Sequence, residues 1–370
     1  MKKFIMKLKK KIKFCFVSRG PGETGQARAL AKFLEKRGGE IIFCLHQEKN
    51  LFFLEKDKNF KIYLTPKPNS LKKVILKEKP HFLLLFNSKM WGGNFLKKPP
   101  FKRPPFVFCF DSNWLFNSKK YPQYDFVKWA DKYFILFPER IFQLGLKENG
   151  GNFEIEKNVK EKIEPLGFIP SYEPIRKKLK EKIREKLKIK RNEKFIFSYF
   201  SGWGAGHRIW ALKNFTKAVD ILVKEGKKIK AMYVGPVQDL NLKEIKRDWL
   251  LIREKLSAKD FFSILASADL IFMHQGMVTL AQAICCQIPV ICIVSILKKE
   301  MPRLHFWEVL PFKRAGVCEM LSKSTKIKKI KKTVFELLYN EKRKKKMKEK
   351  QKEIFERGEE KFFEKLKKLL

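Results

Sequence analysis

The sequence has few of the residues from which metal sites and disulfide frameworks are built. Its 370 residues include five histidines and seven cysteines, and no two cysteines have the Cys-x-x-Cys spacing. Neither a zinc site nor a disulfide framework is therefore predicted. Most of the cysteines lie within apolar, strand-like runs, so we expect reduced, buried thiols in a cytoplasmic protein.

Long hydrophobic stretches are also missing. No apolar run approaches the roughly 20 residues that a membrane-spanning helix needs. Residues 1–13 are basic and no long apolar region follows them, so no secretory signal peptide is predicted. Hydrophobic residues make up 44% of the chain, which is typical of a globular protein. The length favours two domains over one.

Acidic residues are scarce beside basic ones. The chain has 39 Asp and Glu against 83 Lys and Arg, a formal net charge of +44. One interpretation is a compositional bias toward Lys at surface positions. The other is attraction to an anionic surface, either membrane lipid or nucleic acid. Because neither an aromatic and basic sheet signature nor a basic recognition helix is present, nucleic acid is not a predicted partner.

Apolar strands and helical segments alternate in two successive halves. The first half opens with a strand at 12–17, a glycine-rich loop at 18–26 and a helix at 27–37. The second opens with a strand at 195–200 and another glycine-rich turn at 201–207. Prolines between 165 and 174 mark a junction. The pattern predicts an α/β protein with two Rossmann-like domains, 1–168 and 169–345, facing each other across a cleft.

The most informative segment is 268–293, where an apolar strand runs through a short turn into a helix. A helix N-terminus just past a strand presents free N–H groups and a positive dipole end, which suit a phosphate. A second strand follows, so this is a nucleotide-diphosphate site at the carboxyl end of a parallel sheet. The residues assigned to it are His274, Gln275, Gly276, Met277, Val278, Thr279 and Gln282, helped by Gly202, Gly204, Gly206 and His207 of the second glycine turn. Gln282 is expected to reach a sugar hydroxyl.

The same segment resembles the donor-binding run of GT-B glycosyltransferases, most of all family 28. In that run His274, Gly276, Thr279 and Ala283 match, and Gln282 stands where the family usually has Glu. The resemblance implies a GT-B fold, a nucleotide-diphosphate sugar donor, a UDP-linked one by preference, and a hydroxyl acceptor, often lipid-linked. It implies neither a metal nor another cofactor. It also implies that the last helix, within 346–370, returns to the first domain.

In the family, the first glycine loop lies under the acceptor. The corresponding residues here are Gly20, Gly22, Thr24, Gly25 and Gln26. The family commonly has a histidine base at the end of this loop, and Gln26 cannot take a proton.

Two carboxylates are candidates for the missing base. Asp111 ends the strand at 106–110, where UDP-glycosyltransferase relatives have an Asp that partners the catalytic histidine. Its alternative role is to cap a loop by accepting backbone N–H bonds. Glu23 lies in the glycine loop itself. His305 and Glu308 correspond to a segment that lines the sugar end of the donor.

Other functions remain open from the sequence. A nucleotide-sugar epimerase or hydrolase would use the same fold, and a non-catalytic sugar-nucleotide binder would explain Gln26 and Gln282. Residues 1–12 alternate apolar side chains with lysines, a pattern suited to lying on an anionic membrane. A Lys-rich leader to the first strand is the alternative.

Overall fold

The computed structural model describes most of the chain. The described residues are 12–55, 57–86, 105–111, 130–148, 161–200, 205–238, 240–274, 276–294, 302–322 and 324–369, with the backbone alone at 205–207, 242 and 302–307. Two compact units are present, one formed by Met1–Ser171 with Glu356–Leu370 and the other by Tyr172–Phe355. The sequence places the corresponding boundaries at 168 and 345.

The first unit is built on a sheet of seven parallel strands with the order β3-β2-β1-β4-β5-β6-β7. The strands are β1 Lys13–Ser18, β2 Glu40–Leu45, β3 Lys61–Leu64, β4 Phe82–Phe86, β5 Phe106–Asp111, β6 Lys132–Ile135 and β7 Ile163–Pro165. The helices are α1 Pro21–Glu35, a 3₁₀ helix Glu48–Phe53, α2 Pro68–Glu78 and α3 Glu139–Glu148.

Phenylalanine fills one face of this sheet. The strands read as almost continuous apolar runs because helices cover both faces of a parallel sheet. Across neighbouring strands, the Phe16 ring stacks on Phe43 at 5.1 Å and on Phe86 at 6.1 Å, and Phe86 stacks on Phe110 at 4.5 Å. The high phenylalanine content is thus in part a core-packing device.

Helix α1 begins earlier than the sequence predicts. The predicted loop at 18–26 ends at Gly20, and the helix starts at Pro21. Proline suits a first helical position, since its φ is already helical and it has no N–H to leave unpaired. Gly25 is required inside the helix because a Cβ there would lie 2.8 Å from the Ser171 hydroxyl.

The second unit has six parallel strands with the order β10-β9-β8-β11-β12-β13. They are β8 Lys194–Tyr199, β9 Ile229–Val234, β10 Leu250–Arg253, β11 Leu270–His274, β12 Val290–Val294 and β13 Glu319–Ser322. The helices are α4 Lys177–Lys186, α5 Ala205–Lys224, α6 Leu242–Ile245, α7 Ala258–Ser267, α8 Met277–Cys285, α9 Pro302–Arg314, α10 Ile327–Tyr339 and α11 Glu341–Ile354.

The last helix, α12 (Gly358–Lys367), belongs to the first unit. The Phe168 amide donates to the Glu356 carbonyl at 2.8 Å, and the Gly358 amide donates to the Phe168 carbonyl at 2.7 Å. Phe362 is fully buried, with its ring edge-on to those of Phe108, Phe110 and Phe134 at 5.4–5.9 Å. The predicted segment 346–370 is therefore divided, because all of α11, which ends at Ile354, lies in the second unit.

Candidate functional site

The second sheet has its topological switch point between β8 and β11. From β8 the chain order runs outward to β9 and β10 on one side, and from β11 to β12 and β13 on the other. In open α/β sheets a crevice forms at the carboxyl ends of the two strands where the order reverses, and ligands bind there. Tyr199 and His274 are the last residues of these two strands.

Helix α8 starts at this switch point with an N-terminus that no side chain caps. Its N-cap is Gly276, no side chain caps it, and its first turn carries no acidic residue. The first intrahelical bond runs from the Leu280 amide to the Gly276 carbonyl at 2.8 Å. The preceding amides of 277–279 therefore have no acceptor within the helix, and they sit at the positive end of its dipole. Such an end is a ready anion site.

His274 stands beside this helix start. Its Nδ1 lies 3.2 Å from the Tyr199 carbonyl oxygen. Since a carbonyl oxygen only accepts, Nδ1 carries the proton, and Nε2 of the neutral ring is an acceptor. A Cβ on Gly276 would lie 3.8 Å from Nε2, so this nitrogen is next to the N-cap. His274 can donate to a phosphate there only when it takes up a second proton.

Two other predicted donor residues are buried. Thr279 is 7% exposed and occupies the third position of α8. Gln282 is 1% exposed, and its amide pairs with the Tyr172 backbone. This contact is different from the ribose contact that the sequence predicts.

The second glycine turn is described only in part. Gly202, Gly204 and Gln275 lie outside the described residues. The backbone at Gly206 and His207 belongs to the first turn of α5, which follows the switch-point strand β8. Glu308 of α9 is buried. The side chain of His305 is outside the description.

In the first unit, most of the predicted acceptor loop forms the opening turns of α1. Gly20 is the N-cap and Gly22 lies in the first turn. The Thr24 hydroxyl donates to the Gly20 carbonyl at 2.8 Å and lies 2.9 Å from the Ser18 hydroxyl, which fixes the helix against β1. Gln26 is buried, and its Nε2 has no hydrogen-bond partner within the described structure.

Glu23 occupies the N-terminus of α1. A Cβ on Gly20 would collide with a Glu23 carboxylate oxygen, so the carboxylate is folded back over the N-cap. A negative charge in the first turn offsets the positive end of the helix dipole. This helix end is therefore already neutralised by its own side chain, in contrast to α8.

Asp111 lies at the carboxyl end of β5 and is 2% exposed. Its Oδ2 accepts a hydrogen bond of 2.5 Å from the Tyr133 hydroxyl on β6. Burial, and then the Asp111 charge and hydrogen bond, raise the pKa of Tyr133 well above its usual value, so the phenol stays protonated. Phe108 and Phe110 belong to the core beneath α1. Residues alternate along a strand, so Asp111 faces the other side of the sheet.

His46 lies at the same carboxyl edge of the first sheet. It follows β2, and its amide donates to the Ser18 carbonyl at 3.2 Å. Burial and the Arg19 charge lower the pKa of His46, while a hydrogen bond with the Thr65 backbone opposes them. The ring is consequently neutral at pH 7 and able to accept a proton. The sequence signal that could have identified His46 as a candidate is its position directly after the apolar strand β2.

Metal and thiol chemistry find little support. Among the described residues, no three His, Cys, Asp or Glu side chains are grouped so that they could hold a metal ion. All seven cysteines are among the described residues and none forms a disulfide, and all except Cys286 are buried. The sulfurs of Cys15 and Cys44 are 3.6 Å apart, and this contact together with burial raises the pKa of Cys15. Within the described part of the chain, no helix is long and apolar enough to cross a membrane.

Solved structures resemble the chain over nearly its full length. No protein-family model matches the sequence, and no curated protein does. S. aureus MnaA, solved with UDP, has a TM-score of 0.70 at 17% identity, covering 94% of each chain. UDP-GlcNAc 2-epimerase from Neisseria meningitidis, solved with UDP-GlcNAc, has 0.67 at 13%, covering 96% of this chain and 100% of the other.

Neighbours of the glycosyltransferase kind have somewhat lower TM-scores. MurG from Acinetobacter baumannii has a TM-score of 0.62 at 14% identity, covering 97% of this chain and 100% of that one. At such identities the likeness concerns the fold alone. The predicted class is confirmed: the chain is an α/β protein of the GT-B fold, with two Rossmann-like domains.

Proposed function

We propose that this chain is a GT-B glycosyltransferase that moves a hexosyl group from a UDP-linked sugar to a hydroxyl acceptor. The observation that carries the proposal is the uncapped N-terminus of α8 at the switch point of the second sheet. The neighbours solved with UDP and UDP-GlcNAc support a nucleotide-sugar ligand. Membership in family 28, with its lipid-linked and cell-envelope acceptors, is the finer form of the proposal.

Transfer breaks the bond between the sugar carbon C1 and the diphosphate oxygen, and negative charge develops on the departing UDP. Donors already aimed at that oxygen stabilise the charge without reorganising. The amides of 277–279 are such donors at the α8 N-terminus. His274 adds one more N–H when it takes up a second proton. The Gly206 and His207 turn of α5 is a second contributor.

The acceptor hydroxyl must lose its proton as its oxygen bonds to C1. Asp111 is the proposed base, with Glu23 as the alternative. The structure adds His46, whose neutral ring lies at the same edge of the first sheet. Asp111 is held by Tyr133, and Glu23 by its own helix end. Substituting each of the three groups in turn separates them experimentally.

A 2-epimerase or hydrolase of the same fold is the second candidate, favoured by the TM-scores of 0.67 and 0.70 to proteins solved with UDP-GlcNAc and UDP. Incubation with UDP-GlcNAc, with and without membrane lipid extract, distinguishes the activities. A transferase releases UDP faster when acceptor-bearing lipid is present. An epimerase converts UDP-GlcNAc into its 2-epimer without releasing UDP, a hydrolase releases UDP regardless of lipid, and a non-catalytic binder does neither.

We also propose that residues 1–12 dock the protein on an anionic membrane. Residues 1–11 lie outside the described residues, whereas Ile12 is buried in the core of the first unit. The net charge of +44 supports the attraction. Vesicle binding is expected to require anionic lipid and to fall as salt rises, because the Debye length at physiological salt is only about 8 Å. Removing residues 1–10 should weaken binding, since each lysine near such a surface contributes roughly 1 kcal/mol. If the intact protein does not bind anionic vesicles at low salt, compositional bias explains the high positive charge.

A further inference from the structure

Gln282 forms a closed pair with a backbone segment that is distant in sequence. Its Nε2 donates to the Tyr172 carbonyl at 2.7 Å, and its Oε1 accepts from the Tyr172 amide at 3.1 Å. The two residues are 110 positions apart, and the Gln282 side chain is 1% exposed. Each polar group of the side-chain amide thus has a partner. Nε2 also lies 3.5 Å from Cys286 Sγ, so both of its hydrogens have an acceptor, and burial leaves little room for a ribose hydroxyl to approach the remaining lone pair of Oε1.

The pairing explains why glutamine stands at this position. The Tyr172 backbone offers one donor and one acceptor, and a carboxamide complements both. A glutamate carboxylate could accept from the amide but would place a second oxygen against the Tyr172 carbonyl oxygen. A buried charge in that position is costly, because it is only half satisfied. The residue typical of a ribose contact is therefore the wrong residue for this contact.

Tyr172 is itself held in place. Its ring stacks on Phe262 of α7 with 4.7 Å between centroids and a 28° interplanar angle. Tyr172 is the first residue of the second unit. Gln282 accordingly connects α8 to the first residue of this unit. The same residue, Tyr172, also packs on α7.

We propose that Gln282 is a positioning residue, which holds α8 in place through the Tyr172 backbone and does not contact the ribose of the donor. The inference rests on the proposed function, which places the diphosphate at the start of α8. Gln282 lies five residues further along the helix, about 8 Å away at 1.5 Å per residue. Small displacements of positioned groups weaken their interactions strongly. Loss of the pair should therefore weaken diphosphate binding whatever sugar the nucleotide carries.

The test compares Gln282→Glu with Gln287→Glu, which introduces the same charge at an exposed position just beyond the C-terminus of α8. Affinities for UDP and for 2′-deoxy-UDP are measured by calorimetry, well below the melting temperatures. Gln282→Glu is expected to weaken both ligands by about tenfold, roughly what the loss of one net hydrogen bond is worth. The ratio of the two affinities should stay as in the wild type. Gln287→Glu should match the wild type in both.

A ribose contact makes the opposite prediction. A carboxylate accepts from ribose hydroxyls more strongly than an amide does. Retained or tighter UDP binding by Gln282→Glu would therefore overturn the positioning role. If this variant does not fold, Gln282→Met serves instead, and loss of the preference for UDP over 2′-deoxy-UDP would overturn it equally. Absence of UDP binding by the wild type would refute the proposed function, and the positioning role with it.

Discussion

A bulky residue at Gly276 is the most direct test of the α8 site. The backbone there has φ −149° and ψ 100°, a conformation open to any residue. A Cβ at this position would lie 3.5 Å from Met273 Cε and 3.8 Å from the His274 ring, which are ordinary contacts. Gly276→Ala should thus fold and bind as the wild type does. Gly276→Phe adds a ring beside the amides that are proposed to hold the diphosphate, and is expected to block them.

The size of the effect follows from mass action. UDP at 100 times its Kd stabilises the folded state by about 2.7 kcal/mol. For a cooperative unit of this size, 1 kcal/mol shifts Tm by about 2–4 °C, so UDP should raise Tm by about 5–11 °C. If Gly276→Phe raises Kd a hundredfold, the same concentration contributes only about 0.4 kcal/mol, or about 1 °C.

Differential scanning calorimetry with and without UDP measures both shifts. The ligand-free Tm of each variant serves as the folding control, and Gly276→Ala controls for loss of the glycine itself. An unchanged UDP shift in a folded Gly276→Phe protein would place the nucleotide elsewhere and refute the anion-site argument.

Three further outcomes are expected. Asp111→Asn should lower turnover by about two to four orders of magnitude without altering UDP affinity. Tyr133→Phe keeps the Asp111 carboxylate and should retain most activity. If both variants lose the same amount of activity, the role of Asp111 is structural. If His46 is the base, kcat/KM should be level at neutral pH and fall as pH drops through its pKa, which burial and Arg19 lower below 6.5. His46→Gln should abolish most activity, whereas the control His81→Gln, at the opposite edge of the sheet, should not. If kcat/KM does not fall at acidic pH, His46 is not the base. Phe362→Ala should cost about 3–5 kcal/mol of unfolding free energy, measured by denaturant titration, whereas a loss under about 1 kcal/mol would refute its core role.

The fold was readable from sequence wherever burial is complete. Strands such as β4 and β12 are continuous apolar runs, because both faces of a parallel sheet are covered. The strands β7, β10 and β13 were not predicted, since each has only three or four residues and most of these are not fully buried. The start of α1 was missed for another reason. Glycines at 20, 22 and 25 read as a loop, whereas the last is needed for tight packing against Ser171.

The candidate site was predictable only as far as it is local. The strand, turn and helix around Gly276 lie within one short segment, and its helix end can be inferred from that segment alone. The hydrogen-bond partners of the side chains at the site cannot be inferred from that segment. The Tyr172 backbone is 110 residues from Gln282, and Tyr133 is 22 residues from Asp111. Such partners decide whether a polar side chain is available to a ligand, and only the tertiary structure supplies them.

Helices α1 and α8 show how this distinction bears on function. Both α1 and α8 follow a switch-point strand, and both have a glycine N-cap. At α1, the Glu23 carboxylate already lies over the N-cap, so an incoming anion would meet a like charge. At α8, the first turn has no acidic residue, and the neighbouring charge-capable group is His274, which can only become more positive. Electrostatics therefore favours the second unit over the first as the place of the proposed diphosphate. The proposed acceptor would then occupy the first unit and need not be anionic at that point.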